Sequence, residues 1–370
     1  MKLVIFGLSV SSSWGNGHAT LWRGLIRALS HLGHRVVFFE RDTPYYAEHR
    51  DLWGLPGGDL ILYPSWEAVR ARALGHLADC DAAVVTSYCP DATAATDAVL
   101  SSPARIRCFY DLDTGITISR VQAGQRVDYL PPNGLGDFDL VLSYTGGRAL
   151  TDLKTLLGAR HVAPLYGSVD PEHHHPARCE DRFRCDLSYL GTYASDRQAA
   201  LDTLFLEPAR SRPAMRFLMA GPQYPKEFPW TENLFFNPHV PPPEHPAFYS
   251  SSRLTLSVTR APMAAMGYCP SGRLFEAAAC GVPIVSDEWD GLDYFFEPER
   301  EILVARTTRH VLEALDRSPE DLARMARAGR DRALSAHTAA HRALELENIL
   351  EAALSLPVEA GAASGSRMEI

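Results

Sequence analysis

Short apolar runs separated by amphipathic stretches recur along almost the whole chain. Leu3–Phe6, Val36–Phe39, Leu60–Leu62, Ala82–Thr86, Ile106–Tyr110 and Leu140–Ser143 are continuous rather than alternating. Runs of that kind fit strands of a parallel sheet buried on both faces. Between them, Ala19–Leu32, Trp66–Leu77 and Thr93–Leu100 carry helical spacing, and Gly33-His34 supplies the turn from the first helix to the next strand. Residues 1–167 are therefore expected to form a doubly wound, Rossmann-like α/β domain. The pattern lapses over 168–186, a polar, proline-flanked stretch that reads as an inter-domain linker. It restarts with Leu187–Leu190, Phe217–Ala220, Leu234–Asn237, Leu254–Val258, Ile284–Ser286 and Ile302–Val304, which gives a second Rossmann-like domain over 187–335. Pro319–Ser335 and His337–Leu354 have apolar positions at helical spacing; the last helix, 336–356, is expected to pack back toward the first domain. Residues 357–370 read as a flexible tail. Two such sheets facing one another place the default ligand site in the cleft between them.

Composition narrows the class. A chain of 370 residues with 46% hydrophobic and 22% charged positions has the balance of a globular protein of two domains. A net charge of −9 argues against general nucleic-acid or membrane-surface binding. Lysine occurs only at Lys2, Lys154 and Lys226, so arginine carries nearly all the positive charge. Seven cysteines without paired spacing fit a reducing cytoplasm. The first residues, Lys2–Phe6, read as a strand and not as a signal peptide, and no apolar run reaches the length of a membrane span. The expected location is the cytoplasm.

The richest segment is Ser271–Asp287. It reads as a loop, a short helix carrying one carboxylate, a glycine stop and a buried strand. Gly272 lets backbone approach a ligand, and the free N–H groups at the helix start suit a diphosphate. Glu276 sits about one turn further on, where its oxygens could accept the two hydroxyls of a ribose. The same residues also fit an ordinary helix–turn–strand joint with one solvated glutamate, and the local pattern does not choose.

Three stretches carry a family resemblance: Tyr189–Gln198, His245–Ser252 leading to Val258-Thr-Arg260, and Ser271–Asp287 continuing to Asp293. On these the chain resembles a GT-B glycosyltransferase, and more narrowly the CgeB-like branch, named for a spore-maturation protein. The likeness is dense over about 187–345 and diffuse before that. It implies a nucleotide sugar held mainly by the second domain, an acceptor held mainly by the first, and no metal cofactor. Many relatives place two carboxylates seven residues apart around the helix start. Glu276 matches the second, on the ribose, whereas Cys269 occupies the first, sugar-facing position. The usual arginine and lysine after the domain's first strand become Thr192 and Arg197, so Arg260 or Arg273 is a candidate replacement cation.

The resemblance also gives roles to other elements. Ser11–His18 follows the first strand and opens the first helix, so Gly15, Asn16 and Gly17 are expected to line the cleft. His18 would point into it and is the candidate general base, with a capping or packing histidine as the alternative. Asp111 and Asp113 lie just past a strand and by alternation share one side, facing the cleft mouth, to orient His18 or bind the acceptor, with ordinary turn chemistry as the alternative for either. Their spacing invites a metal reading that the GT-B resemblance does not support. Thr145 and Gly146 repeat the strand-then-glycine pattern and are expected beneath the sugar or diphosphate, with a structural turn as the equal alternative. A backbone N–H and C=O at His239 or Val240 are placed to read a uracil-like edge, which favours a UDP-sugar, although no side chain fixes the base. Asp287 would receive sugar hydroxyls and Trp289 would stack on a sugar face, unless the segment is a solvated acidic loop. His173, His174 and His175 point in different directions and read as a flexible linker instead of a metal site. The expected function is transfer of a hexose-type unit from a nucleoside diphosphate sugar to an unidentified acceptor. The alternatives are a sugar-nucleotide 2-epimerase on the same fold, or a non-catalytic nucleotide-sugar binder or assembly protein.

Overall fold

Among the described residues every strand pairing is parallel, as the continuous apolar runs require. The computed structural model describes residues 1–355. The first sheet contains β1 (Lys2–Gly7), β2 (Arg35–Arg41), β3 (Gly58–Tyr63), β4 (Ala82–Thr86), β5 (Ile106–Asp111), β6 (Leu140–Ser143) and β7 (Val162–Pro164). Their order is β3-β2-β1-β4-β5-β6-β7, so the winding reverses between β1 and β4. The second sheet contains β8 (Cys185–Leu190), β9 (Phe217–Ala220), β10 (Leu234–Asn237), β11 (Ser252–Ser257), β12 (Ile284–Asp287) and β13 (Leu303–Ala305). It runs β10-β9-β8-β11-β12-β13 and reverses between β8 and β11. Open sheets of this type bind ligands outside the carboxyl ends of the strands at the reversal. The loops after β1, β4, β5, β8 and β11 are therefore the ones that matter.

Helices cover both faces of each sheet, which is why β4 is buried at every position. The chain then returns to the first domain. The helix Pro319–Ala336 starts at Pro319 with Ser318 accepting a capping bond from the Asp321 N–H at 3.1 Å. The next helix starts at Ala339 and not at His337, because His337 turns inward and stacks on Phe275 at 4.7 Å between ring centres. That last helix, Ala339–Leu354, packs against the first-domain helix His18–His31. Gly24 permits the approach, since a β-carbon there would lie 3.3 Å from that of Ala339. His34 meets Glu347 at 3.0 Å, and the buried Arg342 donates to the Gly167 carbonyl at 3.1 Å. The expected packing of the C-terminal helix onto the first domain is thus present. The tail expected over 357–370 lies outside the described residues.

The segment 168–186 is not the loose linker its composition suggested. Asp170 pairs with Arg27 at 2.5 Å, Val169 bridges to Thr338, and His174 is buried in the second domain beside His245. A run of three histidines looks polar in sequence, but the middle ring becomes core because its neighbours point elsewhere.

Candidate functional site

Between the carboxyl ends of the two sheets lies a cavity of about 640 Å³ lined by both domains. Pockets of this size hold small-molecule ligands or cofactors. Its first-domain wall depends on Glu40 at the end of β2. This wholly buried carboxylate accepts the Val10 and Ser11 N–H groups at 2.7 and 2.9 Å and the Ser9 and Ser11 hydroxyls at 2.9 and 2.6 Å. Four donors on one carboxylate fix the loop after β1. Asn16 continues the work: its amide donates to the Ser9 and Ser12 carbonyls, and its oxygen accepts from the His18 N–H at 3.2 Å. Gly15, Asn16, Gly17 and His18 all line the cavity.

Across from that loop, Asp113 opens the helix Thr114–Gln122 and faces the same space. Its Oδ1 lies 3.9 Å from His18 Nε2, and its Oδ2 accepts the Tyr88 hydroxyl at 2.9 Å. The first distance is an ionic approach rather than a hydrogen bond, and a shift of about 1 Å on ligand binding would convert it. Tyr88 holds a left-handed backbone, φ +63°, that non-glycine residues rarely adopt. It lies directly after β4, at the reversal of the first sheet.

Asp111 does not share this position. β5 ends at Asp111, so the i, i+2 alternation stops there; its side chain turns into the protein, fully buried, and only Asp113 reaches the cavity. Oδ1 of Asp111 accepts the Asp113 N–H, whereas Oδ2 has no hydrogen-bond partner among the described residues. Burial raises its pKa from the ordinary 3.8 to about 7. Between those values the folded chain keeps a proton that the unfolded chain has lost. The associated stability is present below about pH 4 and is lost as pH rises through about 7. Asp111→Asn cannot ionise and should escape this loss. The melting-temperature difference between variant and wild type is expected to shift in the variant's favour from pH 5 to pH 8. A difference that stays constant across that range would contradict the assignment.

The second-domain wall is built from β8, β11 and the helix Gly272–Ala279. Ser271 precedes that helix, and Ser271, Gly272 and Glu276 face the cavity. Glu276 is 6% exposed, and its Oε1 accepts the Thr20 hydroxyl of the first domain at 2.9 Å. Beside it stand two buried imidazoles: His174 Nε2 is 3.9 Å from Oε1 and His245 Nδ1 is 4.0 Å from Oε2. Burial pushes His245 down to about 4, against the opposing pull of Glu276, so that ring is neutral.

Three arginines gather at this wall with different degrees of freedom. Arg260 forks onto Asp196, with contacts at 2.7 and 3.0 Å. Arg273 donates to the carbonyls of Leu190 and Val258 and to the Ser271 hydroxyl, tying the ends of β8 and β11 together. Among the described residues Arg197 donates once, to the Thr192 carbonyl at 3.0 Å, and its buried Nε has no partner. Burial first, then the neighbouring Arg273 and Arg260 charges, depresses its pKa, although the nearby Tyr189 acts the other way. An anion beside Arg197 would relieve that repulsion. Cys269 also lines the cavity, and burial pushes its thiol far up, so it offers no charge. Thr192 lines it through the same turn. His239 and Val240 reach the cavity from the loop after β10, with the His239 ring 4.6 Å from Trp14. The Val240 carbonyl already accepts from His245 Nε2 at 3.1 Å, which leaves one lone pair for a ligand.

Four further residues expected at the cleft stand elsewhere. Thr145 is fully buried against Met263, and Gly146 donates its N–H to the Tyr268 carbonyl at 2.9 Å. They join the two domains behind the cleft, while their neighbour Tyr144 lines it. Asp287 accepts the Thr259 N–H and hydroxyl at 2.9 and 3.0 Å, and burial raises its pKa to about 6. It braces the loop that carries Arg260 and does not face the cavity. Trp289 is 5% exposed and packs on Phe295, because the chain past β12 turns Glu288 and Asp290 outward and the indole inward. Sequence reasoning also missed Glu40, Tyr88, Thr20, Arg120, His174 and His245. Glu40 had a legible signal, a lone carboxylate closing the apolar run Val36–Phe39. The others depend on chain segments far apart in sequence.

Comparison with known proteins fits this arrangement. Residues 197–348, which carry β9 to β13 and Glu276, match the family model described as glycosyl transferase-like. No curated protein sequence matches the chain. Among solved structures, sucrose-phosphate synthase from Thermosynechococcus elongatus superposes with a TM-score of 0.69 at 14% identity, over 95% of this chain and 98% of that one. HepE from Anabaena in complex with UDP-glucose gives 0.67 at 12% identity, over 95% and 100%. An α-glucosyltransferase in complex with UDP-glucose and DNA containing an abasic site gives 0.67 at 12%, over 95% and 99%. At these identities the likeness establishes the fold, which is the GT-B arrangement of two parallel α/β domains across a cleft. Among the described residues no helix is long and apolar enough to cross a membrane.

Proposed function

We propose that this protein is a GT-B glycosyltransferase, of the CgeB-like branch, that moves a hexose-type sugar from a nucleoside diphosphate sugar, with UDP as the favoured nucleotide, to an acceptor hydroxyl. The observation that supports this most is the pairing of walls in one cavity. Glu276, the start of the helix Gly272–Ala279 and Arg197 stand on one side, with His18 and Asp113 on the other. The glycosyl transferase-like match over the donor half, and neighbours solved with UDP-glucose, favour the same reading.

In this reading Glu276 accepts the ribose hydroxyls, exchanging its bond from Thr20 for them. The diphosphate lies between Arg197 and the N–H groups at Gly272 and Arg273. As the bond from the sugar's anomeric carbon to the β-phosphate oxygen breaks, negative charge grows on that oxygen. Fixed positive charge in a water-poor cleft stabilises it most at that moment. Arginine and the helix start supply the charge, so we read the reaction as metal-independent. The acceptor oxygen forms the new bond to the anomeric carbon, and its proton passes to His18, which Asp113 holds in place. The acceptor would lie along the first-domain wall, near Tyr88 and Arg120. Closure of the two domains, already joined by Thr20–Glu276 and by Gln223–Tyr45 at 3.0 Å, would exclude water from the donor.

The test is to incubate the protein with UDP-, GDP- and dTDP-sugars, with and without chelator, and follow nucleotide release. Release from a UDP-sugar that a chelator does not suppress is expected, slow without acceptor and faster with it. Sugar nucleotide recovered with inverted C2 and no release would favour the epimerase instead. Binding without turnover for every sugar and acceptor tried would favour a non-catalytic binder.

A further inference from the structure

We propose that His174, His245 and Glu276 form a site for a divalent transition metal of the zinc class, and that filling it removes Glu276 from the ribose, so that metal and nucleotide sugar exclude one another. The second half rests on the ribose role proposed for Glu276; the first does not.

The three side chains come from separate parts of the chain: the linker, the first residue of the helix His245–Ser250 and the helix Gly272–Ala279. One ligand atom from each lies within 4.8 Å of the others. His174 Nε2 and His245 Nδ1 are 3.3 Å apart, and each stands 3.9 to 4.0 Å from a Glu276 oxygen. Ligands around a tetrahedral zinc ion with bonds of about 2.0–2.1 Å are roughly 3.4 Å apart; the two imidazoles already have that spacing, whereas the carboxylate, whose near contacts go to different oxygens, must move by about half an ångström or more to close the set. The His245 ring is also prepared for it. Its Nε2–H donates to the Val240 carbonyl at 3.1 Å, which leaves the Nδ1 lone pair directed at the cluster. Zinc-bound histidines commonly carry such a carbonyl on the far nitrogen. The 3.3 Å contact to the His245 Nδ1 lone pair places the His174 proton on Nε2, so an entering metal displaces that proton; among the described residues no bond holds His174 Nδ1, the other nitrogen able to carry it. Two imidazoles and a carboxylate suit zinc or cobalt, whereas magnesium prefers an all-oxygen shell.

His245 and Glu276 line the cavity, which gives the ion an entry path and leaves its fourth position open to water. The carboxylate cannot serve both partners equally. Its Oε1 is already held by Thr20, and Oε2 is the oxygen nearest His245. A carboxylate bound to a dication is a poor acceptor for neutral ribose hydroxyls, and donor binding should weaken.

The experiment uses the full chain, stripped with chelator, titrated calorimetrically with zinc and followed by visible absorption with cobalt(II). One equivalent with a tetrahedral cobalt spectrum is expected, and His174→Asn and Glu276→Gln should each weaken binding more than about tenfold. Thermal melts of both variants establish that they fold. With zinc saturating, UDP affinity of the wild type should fall at least tenfold, and that of His174→Asn should not change. Absence of zinc binding, or equal binding in all variants, would overturn the site. Zinc binding that leaves UDP affinity unchanged or tightens it would overturn the exclusion. UDP binding to neither form would overturn the exclusion together with the ribose role of Glu276, while the cobalt spectrum would still decide the metal site.

Discussion

Glu276→Ala is expected to weaken UDP binding by about 100-fold and to abolish detectable transfer at ordinary substrate concentrations. A hydrogen bond to a charged acceptor contributes about 1.5–3 kcal/mol, so loss of two costs roughly 3 kcal/mol or more, about two orders of magnitude in affinity. Glu276 is 6% exposed and, among the described residues, takes one direct side-chain hydrogen bond, from Thr20, so its oxygens otherwise face the cavity and the two imidazoles. Glu276→Gln preserves volume and one acceptor and should fall in between, near tenfold. Both variants should melt cooperatively. If Glu276→Ala binds UDP as the wild type does, the carboxylate is part of an ordinary helix–strand joint and the ribose assignment is wrong.

His18→Ala is expected to lower turnover by about 10²- to 10⁴-fold, the usual contribution of a positioned general base. UDP affinity should change little, because His18 stands on the wall opposite Glu276 and Arg197. Asp113→Asn should lower turnover less, since it acts through His18 from 3.9 Å and through Tyr88. Steady-state rates and UDP titrations on the same preparations check this. If His18→Ala instead loses UDP affinity and keeps turnover at saturation, His18 belongs to the donor site or to the loop, and another group must take the acceptor's proton.

The strands of both sheets were legible because parallel strands covered on two faces must be apolar throughout. β7 was missed because three half-buried residues make no run. The site was legible where local backbone decides direction. Ser271–Glu276 and Gly15–His18 open helices on the connections that follow β11 and β1, and Glu276 and His18 face the cleft, as the sequence pattern implies. It was misread where a strand stops. Asp111 and Asp113 were given one shared side by an alternation that stops with β5 at Asp111, and Trp289 and Asp287 were given a surface that the chain around the end of β12 folds away. The histidine run shows a third limit. Whether His174 is linker or core depends on where 168–186 lies against the second domain, which no local pattern encodes. The arginines show a fourth: Arg197, Arg260 and Arg273 look alike in sequence, yet Asp196 and three protein acceptors occupy two of them and leave Arg197 the freest.

The central claim is that the cleft is a nucleotide-sugar site organised by Glu276. Calorimetric titration of the metal-free wild type and Glu276→Ala with UDP, beside GDP and dTDP, tests it most directly. One molecule of UDP per wild-type chain is predicted, tighter than the other two nucleotides, with the affinity lost about 100-fold in the variant. No heat from any nucleotide with the wild type, or equal UDP affinity in the two proteins, would contradict it.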